Sequence, residues 1–383
     1  MSFSGDDQRF MAQALQLAER GLYTTTPNPR VGCVIVKDGE VIGAGWHEKT
    51  GEPHAEVVAL NDVAARGHTP AGATAYVTLE PCSHTGRTPP CADALVNAGV
   101  ARVVAAMSDP NPQVAGQGLA RLNAAGITTE CGLLNEAAHE LNIGFVSRMT
   151  LGRPWVRLKI AASLDGKTAL QNGVSQWITS AASRQDVHQW RARSCAVLTG
   201  IGTVLADNPQ LNVRGIATSR QPCKVIVDSQ LQTPPDAAVF DSTCAPPQVL
   251  IVCATSNPEH RQPLEAAGAE VLQLPNQHGQ VDLPALFAEL GRRGMNEILI
   301  EAGARLNGAL ISAACVDELL LYQAPILLGD SARGMWHESG NENRHALTEL
   351  AAAPRLNIIE HRIISAVPRD TALHNFFIRA RFL

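Results

Sequence analysis

Aromatic side chains are scarce in this chain: 8 Phe, 5 Trp and 3 Tyr make up 4% of 383 residues. Proteins that grip single-stranded nucleic acid stack bases on rings, so this scarcity argues against that class. A cationic surplus is missing too. The 31 Lys and Arg face 36 Asp and Glu, for a net charge of −5, whereas a general nucleic-acid binder carries a basic face. A local phosphate pocket stays open. No apolar run reaches the roughly 18 residues that a membrane-spanning helix needs. The stretch Met1 to Asp7 has neither the basic nor the apolar region of a signal peptide. The expectation is a cytoplasmic protein with no nucleic-acid and no membrane partner. The 9 cysteines are odd in number and scattered, unlike a disulfide framework. Most sit in apolar surroundings as inert thiols.

What is present is concentrated in two short stretches, His54-Ala55-Glu56 and Pro81-Cys82-Ser83-His84-Thr85-Gly86-Arg87-Thr88-Pro89-Pro90-Cys91. They offer an imidazole, two thiols and a carboxylate that is not needed as a ligand. That is the inventory of a zinc site, one Zn2+ per chain, with an open fourth position where water can bind and lose a proton at neutral pH. Zinc nucleobase deaminases carry H-x-E followed by P-C-x-x-C, with the Glu as proton shuttle. Here His54, Cys82 and Cys91 would be the ligands and Glu56 the shuttle, with the second motif stretched to P-C-x8-C. A closed structural site, with His84 as fourth ligand, is the competing reading.

The surrounding patterns alternate strand and helix. Phe10, Met11, Ala14, Leu15 and Ala18 recur at helical spacing. Val31–Val36 and Val41–Trp46 read as a hairpin around Asp38-Gly39. His54 and Glu56 would point about 200° apart inside a helix, so they share a centre only if the helix starts there, and Pro53 marks that start. Pro89-Pro90-Cys91 opens another helix, which places Cys91 where thiolate is favoured. Strands are expected over 73–79 and 100–106. The pattern predicts an α/β layer with the ligands at helix starts.

With those residues in place, the first half resembles the cytidine-deaminase-like superfamily. Pro27-Asn28-Pro29-Arg30-Val31-Gly32, His54-Ala55-Glu56 and the stretched P-C-x8-C resemble one branch of it, the pyrimidine deaminases of bacterial riboflavin biosynthesis. In that branch the long inter-cysteine loop is normal. The resemblance implies hydrolytic deamination of a small-molecule phosphoribosyl pyrimidine. Asn28, His47, His84 and Arg87 are candidates to hold its ring or phosphate, and the fate of His84 between phosphate, metal and neither stays open.

Gly152-Arg153-Pro154 punctuates the chain and sets the expected boundary between domains 1–150 and 154–383. Beyond it, 155–161 reads as a strand, 187–193 as a helix, and 196–204 as a strand breaking into glycines. Gly200 and Gly202 do not complete a Rossmann fingerprint, because Leu205 stands where the third glycine belongs. Asn296 to Leu306 reads as a strand ending in Glu301, a glycine turn and a helix, the place where open α/β sheets bind ligands. Strands are also expected at 224–229, 249–253, 318–322 and 374–379.

The stretches 159–166, 175–179, 203–209, Asp228-Ser229 and Glu301-Ala302-Gly303 together resemble the riboflavin-pathway reductase, whose fold is similar to dihydrofolate reductase. The fold expected is therefore α/β: an N-terminal cytidine-deaminase-like three-layer domain plus a C-terminal dihydrofolate-reductase-like domain. The resemblance implies NADPH at Ala161, Trp177, Thr203, Asp207, Ser229 and the run Gly303, Ala304, Arg305, Leu306, Asn307, Gly308 and Ala309. It implies substrate at Ser175, Arg191, Leu211, Arg214 and Glu301, with Lys159 beside the sugar. Hydride transfer to the sugar C1 would open the ribosyl group to a ribityl chain.

Two other classes compete with this bifunctional enzyme. One is a nucleic-acid editing deaminase fused to an unrelated domain, against which the acidic balance and few aromatics speak. The other is a non-catalytic zinc-stabilised binding protein. An exposed apolar face on the second domain would give one route to a homo-oligomer.

Overall fold

The computed structural model of this chain describes residues 3–83, 89–112, 114–241, 248–337, 349–365 and 374–383. The chain divides into two compact units, Met1–Gly152 and Arg153–Leu383. Among the described residues no helix is long and apolar enough to cross a membrane.

The first unit runs α1 (Gly5–Glu19), β1 (Gly32–Lys37), β2 (Glu40–Trp46), α2 (Ala55–Ala65), β3 (Thr74–Val77), α3 (Cys91–Asn97), β4 (Arg102–Ala105), α4 (Gln117–Ala124), β5 (Thr128–Cys131), α5 (Asn135–Leu141) and α6 (Ile143–Leu151). The strands form one sheet in the order β2-β1-β3-β4-β5. β1 is antiparallel to β2 and β3, while β3, β4 and β5 are parallel. Alternation along the strands splits the core into two layers. Cys33, Ile35 and Val77 face α2 and α3 through Ala55, Ala59, Ala92 and Leu95. Val34, Tyr76 and Val104 face α1 through Phe10, Met11 and Ala14. The result is the three-layer arrangement.

Local chemistry explains the start of this layer. Ser4 and Asp7 form a reciprocal capping box on α1. Asp38 and Gly39 both take positive φ, 51° and 81°, which a tight two-residue hairpin requires. A Cβ on Gly45 would lie 2.6 Å from the backbone nitrogen of Ala59. The glycine thus lets α2 lie directly on the hairpin, and this contact aims the first residues of α2.

The second unit runs β6 (Trp155–Ser163), β7 (Lys167–Ala169), α7 (Ala181–Arg193), β8 (Ala196–Gly200), α8 (Ile201–Asp207), β9 (Cys223–Val227), β10 (Val249–Cys253), α9 (Pro258–Ala266), β11 (Ala269–Gln273), α10 (Leu283–Arg292), β12 (Glu297–Ile300), α11 (Ala304–Ser312), β13 (Glu318–Ala324), β14 (Arg333–Gly334), β15 (Leu356–Ile364) and β16 (Asn375–Phe382). Nine strands form one sheet, β11-β10-β9-β8-β12-β6-β13-β16-β15. It is parallel through β13, and β16 and β15 complete it antiparallel. The strand expected over 196–204 stops at Gly200, and Ile201 already starts α8. Its last four residues are helical because the parallel strand ends there and the chain crosses over.

Near the amino ends of β6, β12 and β13 lies a buried ion cluster. Arg157, fully buried, pairs with Glu297 and with Glu318 (Nε to Oε1, 2.8 Å). Arg379 reaches Glu318 at 2.6 Å and Arg193 reaches Glu297 at 2.6 Å. The guanidiniums of Arg157, Arg193 and Arg379 pack over Trp190 at 5.2, 5.9 and 5.8 Å. Removing one partner from such a cluster leaves a buried charge unpaired. Arg157→Ala should therefore cost the second unit about 3–5 kcal/mol, read from its denaturant unfolding midpoint. A loss under about 1 kcal/mol would show that the cluster behaves like surface ion pairs.

Candidate functional site

His54 is the N-cap of α2, with extended backbone (φ −73°, ψ 161°) and no capping hydrogen bond from its side chain. It stands outside the helix, so the 200° problem for His54 and Glu56 does not arise. Glu56 is the second residue of α2 and is buried. Cys82 follows β3 after Glu80-Pro81, and Cys91 opens α3. The three ligand atoms lie within 4.8 Å of one another. His54 Nδ1 is 3.7 Å from Cys82 Sγ and 3.3 Å from Cys91 Sγ. Tetrahedral zinc holds N and S ligand atoms about 3.6 Å apart, so the donor set and the spacing fit that ion and leave a fourth position.

Backbone donors and burial set the charge states. Cys82 Sγ accepts the N–H of Cys91 at 3.3 Å, and Ala92 N–H donates to the Cys82 carbonyl at 3.2 Å. The hydrogen bond from the Cys91 thiol, with that of His54, brings the Cys82 thiol down to about 4. Cys91 is pushed up by the same hydrogen bond and by burial. The two thiols titrate as a pair, and a metal bound between them requires both as thiolates. Burial, reinforced by the Cys82 charge, pushes Glu56 up to about 7.

Two of the weaker sequence candidates stand next to these ligands. The rings of His47 and His54 meet edge-on with centroids 5.4 Å apart. His47 Nδ1 donates to the Pro53 carbonyl at 3.1 Å, which leaves Nε2 to accept from Asn28 Nδ2 at 3.1 Å. Burial lowers the His47 pKa, consistent with this neutral tautomer. His84 and Arg87 lie outside the described residues.

In the second unit a cleft of about 2020 Å³ opens where β6, β8, β9 and β12 end. Lys159, Ser175, Arg191, Leu211, Arg214 and Glu301 line it, as do Ala161, Trp177, Thr203, Asp207 and Ser229. Gly303, Ala304, Arg305, Leu306, Asn307 and Ala309 form its wall at the start of α11. Gly308 does not line the cleft. A Cβ there would sit 1.7 Å from the His337 carbonyl, so this glycine serves the packing of α11 against 335–337.

Glu301 is the electrostatic centre of the cleft. Arg191 grips it with two donors, Nε at 2.5 Å and Nη2 at 3.0 Å, and Lys159 Nζ lies 3.6 Å away. Burial alone would raise the Glu301 pKa, but Arg191 and then Lys159 outweigh it and hold it at about 2. Burial lowers Lys159. The third Arg191 nitrogen donates to the Asn212 carbonyl at 3.0 Å. Arg191 is therefore committed to the protein, while the exposed Arg214 uses Nη1 on Gln210.

Two polar atoms of the cleft argue for a bound ligand. Asp228 and Asn307 line it, and Asp228 Oδ1 and Asn307 Oδ1 are buried without a hydrogen-bond partner among the described residues. Buried polar groups are nearly always paired, so a cofactor rich in hydroxyl and amide donors suits them, and the cleft volume accommodates NADPH. Among the lining residues not anticipated from sequence are His188 and Trp336. His188 stands one turn before Arg191 on α7, and its helical spacing from that arginine was the available signal. Burial and then Arg191 and Arg214 bring His188 down to about 4, and its Nδ1 accepts from the Arg214 N–H at 3.1 Å. Trp336 also lines the cleft, from a loop distant in sequence with no motif to mark it.

Fold and chemistry together define a zinc-dependent deaminase of the cytidine-deaminase type joined in one chain to an NADPH-using reductase of the dihydrofolate-reductase type. Residues 4–107 match the cytidine and deoxycytidylate deaminase zinc-binding region, and residues 154–363 match the RibD C-terminal domain. The chain belongs to the RibD family of riboflavin biosynthesis enzymes. It is 48% identical over 380 residues to riboflavin biosynthesis protein RibD of Escherichia coli strain K12, covering 96% of this chain and 98% of that protein. Among solved structures it is similar to Acinetobacter baumannii RibD, at 43% identity and a TM-score of 0.86 with 99% of each chain covered. A deaminase/reductase from Thermotoga maritima superposes with a TM-score of 0.84 at 31% identity, again covering 99% of each chain.

The Glu301 cluster predicts a pH dependence. A carboxylate whose folded pKa, about 2, lies below its ordinary 4.5 contributes stability above 4.5 and loses it as pH falls through about 2. The unfolding midpoint of the second unit should fall across that window. In Glu301→Gln the fall should be shallower; an identical acid limb would refute the cluster's contribution.

Proposed function

We propose that residues 1–150 remove the amino group of a phosphoribosylated diaminopyrimidine, and that residues 154–383 then reduce its ribosyl group to ribityl with NADPH. One observation carries the first half: an imidazole and two thiol sulfurs converge at zinc spacing beside a buried carboxylate that is not a ligand. The relatives support the pairing, since the Thermotoga maritima protein bears both activities in its name.

His54, Cys82 and Cys91 would hold the zinc, which when bound supplies a Lewis acid that lowers the pKa of water. Glu56 takes the proton of the attacking water and passes it to the departing ammonia. Asn28 and His47 border the pyrimidine ring. In the reductase, NADPH supplies the hydride for the sugar C1. Ala161, Trp177, Thr203, Asp207, Ser229 and the start of α11 hold the cofactor, with Asp228 and Asn307 as further acceptors for it.

Arg214 and Ser175 suit the ribose phosphate, because Arg191 already spends its fork on Glu301. Glu301 and Lys159 border the sugar. The order of the two activities along the chain follows the order of the reactions. A cytoplasmic setting fits the reduced thiols that the zinc site requires.

Glu56→Gln should keep its zinc, measured by elemental analysis, and lose about 10²- to 10⁴-fold in ammonia release. An unchanged rate would overturn the assignment of Glu56. NADPH at about 100 times its Kd should stabilise the native protein by about 2.7 kcal/mol, seen as a raised melting temperature. No rise would refute the cofactor assignment. With the phosphoribosylated diaminopyrimidine, ammonia should appear without NADPH, and NADPH oxidation should follow only when it is added.

A further inference from the structure

We propose that Glu80 is a positioning residue for the zinc site, using α4 and its approach loop as a fixed clamp on Cys82; this rests on the deaminase reading above. Glu80 is buried. Its Oε2 accepts the backbone N–H groups of Asp109 at 3.0 Å and Gly116 at 2.9 Å. Its Oε1 accepts those of Gly118 at 2.9 Å and Leu119 at 3.3 Å. Four donors from one loop and helix start thus converge on one carboxylate, two residues before a ligand. The contact is also steric: a Cβ on Gly118 would lie 1.9 Å from the Pro81 carbonyl oxygen.

The clamp continues past the thiol. Arg121, on α4, donates Nη1 to the Ser83 carbonyl at 3.2 Å. Its other nitrogens pair with Asp93, Nε at 2.5 Å and Nη2 at 2.8 Å, and Asp93 lies on α3 two residues after Cys91. The same helix therefore holds the chain before Cys82, the chain after it, and the helix that begins with Cys91. Cys82 is itself docked on α3 through its sulfur and its carbonyl. Outer partners of this kind fix where a ligand atom sits and change metal affinity without touching the metal.

All four partners of Glu80 are donors, so only a group that accepts everywhere satisfies them. A Gln keeps the shape but turns an NH₂ toward two of them, which separates acceptor chemistry from packing. The test uses the full zinc-loaded chain and a chromogenic chelator. Zinc release from Glu80→Gln should be about 10- to 100-fold faster than from the wild type. Its cobalt-substituted form should show a weakened thiolate-to-metal absorption band. Deamination kcat should fall with KM little changed, while NADPH oxidation by the same chain, supplied with the already deaminated pyrimidine, stays at the wild-type rate and reports that the protein is folded.

Arg121→Ala, at a half-exposed position, should accelerate release by a smaller factor, about 2- to 5-fold. Release within about 2-fold of wild type from Glu80→Gln, with an unchanged cobalt spectrum, overturns the proposal. If Glu80→Gln loses both activities by misfolding, Arg121→Ala decides, and wild-type release from it overturns the proposal equally. A wild-type chain that holds no zinc and releases no ammonia would instead bring down the deaminase reading, and the clamp with it.

Discussion

A buried parallel strand must stop somewhere, and the backbone groups at its carboxyl end need a new partner. Both units of this protein put their chemistry at that handover. In the first, β3 ends before Glu80-Pro81-Cys82, and the starts of α2 and α3 bring in His54, Glu56 and Cys91. In the second, β8 ends at Gly200 and β12 ends before Glu301, each followed by a helix whose first turn walls the cleft. Sheet and helix are rigid; the connections between them and the first helical turns are free to carry polar groups. Ligands collect there because strand ends fan apart around the switch in chain direction.

The same constraint gives two glutamates opposite properties. Glu56 and Glu301 both lie close to a strand-to-helix handover; Glu56 is buried, and Glu301 is largely covered at the wall of the cleft. At Glu56 burial, reinforced by the Cys82 charge, outweighs the opposing His54 charge, and its proton is held up to about 7. Glu301 is gripped by Arg191 and approached by Lys159, and these overcome burial to hold it ionised down to about 2. One environment makes a group that can carry a proton, the other a fixed negative charge that aligns cations. At the far, amino ends of the strands in the second unit, Arg157 with Glu297 and Glu318 uses the same pairing for structure.

Much of this was legible in the sequence because it depends on neighbours in the chain. The Asp38-Gly39 hairpin, the Pro53 entrance to α2 and the Pro90-Cys91 start of α3 are local rules, and each element formed where those rules placed it. The alternating pattern also carried the α/β class. Elements without such marks went unread. The edge strand β15 is largely exposed along its length and so shows no buried period. The start of α8 reads as strand because Ile201, Thr203 and Val204 are β-branched, and only the end of the parallel ladder turns them helical.

The sequence by itself determined which atoms could do chemistry: one imidazole, two thiols, a carboxylate two residues away, and a matched set of motifs downstream. Residue type and short spacing are chemical facts that need no fold. Tertiary structure decided what those atoms are bonded to and in which state they rest. It docked the Cys82 sulfur on the start of α3, closed Arg191 on Glu301, and removed Gly308 from the ligand wall. It also brought α4, some 36 residues away, onto the Cys82 loop through Glu80. These outcomes depend on burial and on through-space distance between segments far apart in the chain, and neither quantity is written in the order of residues.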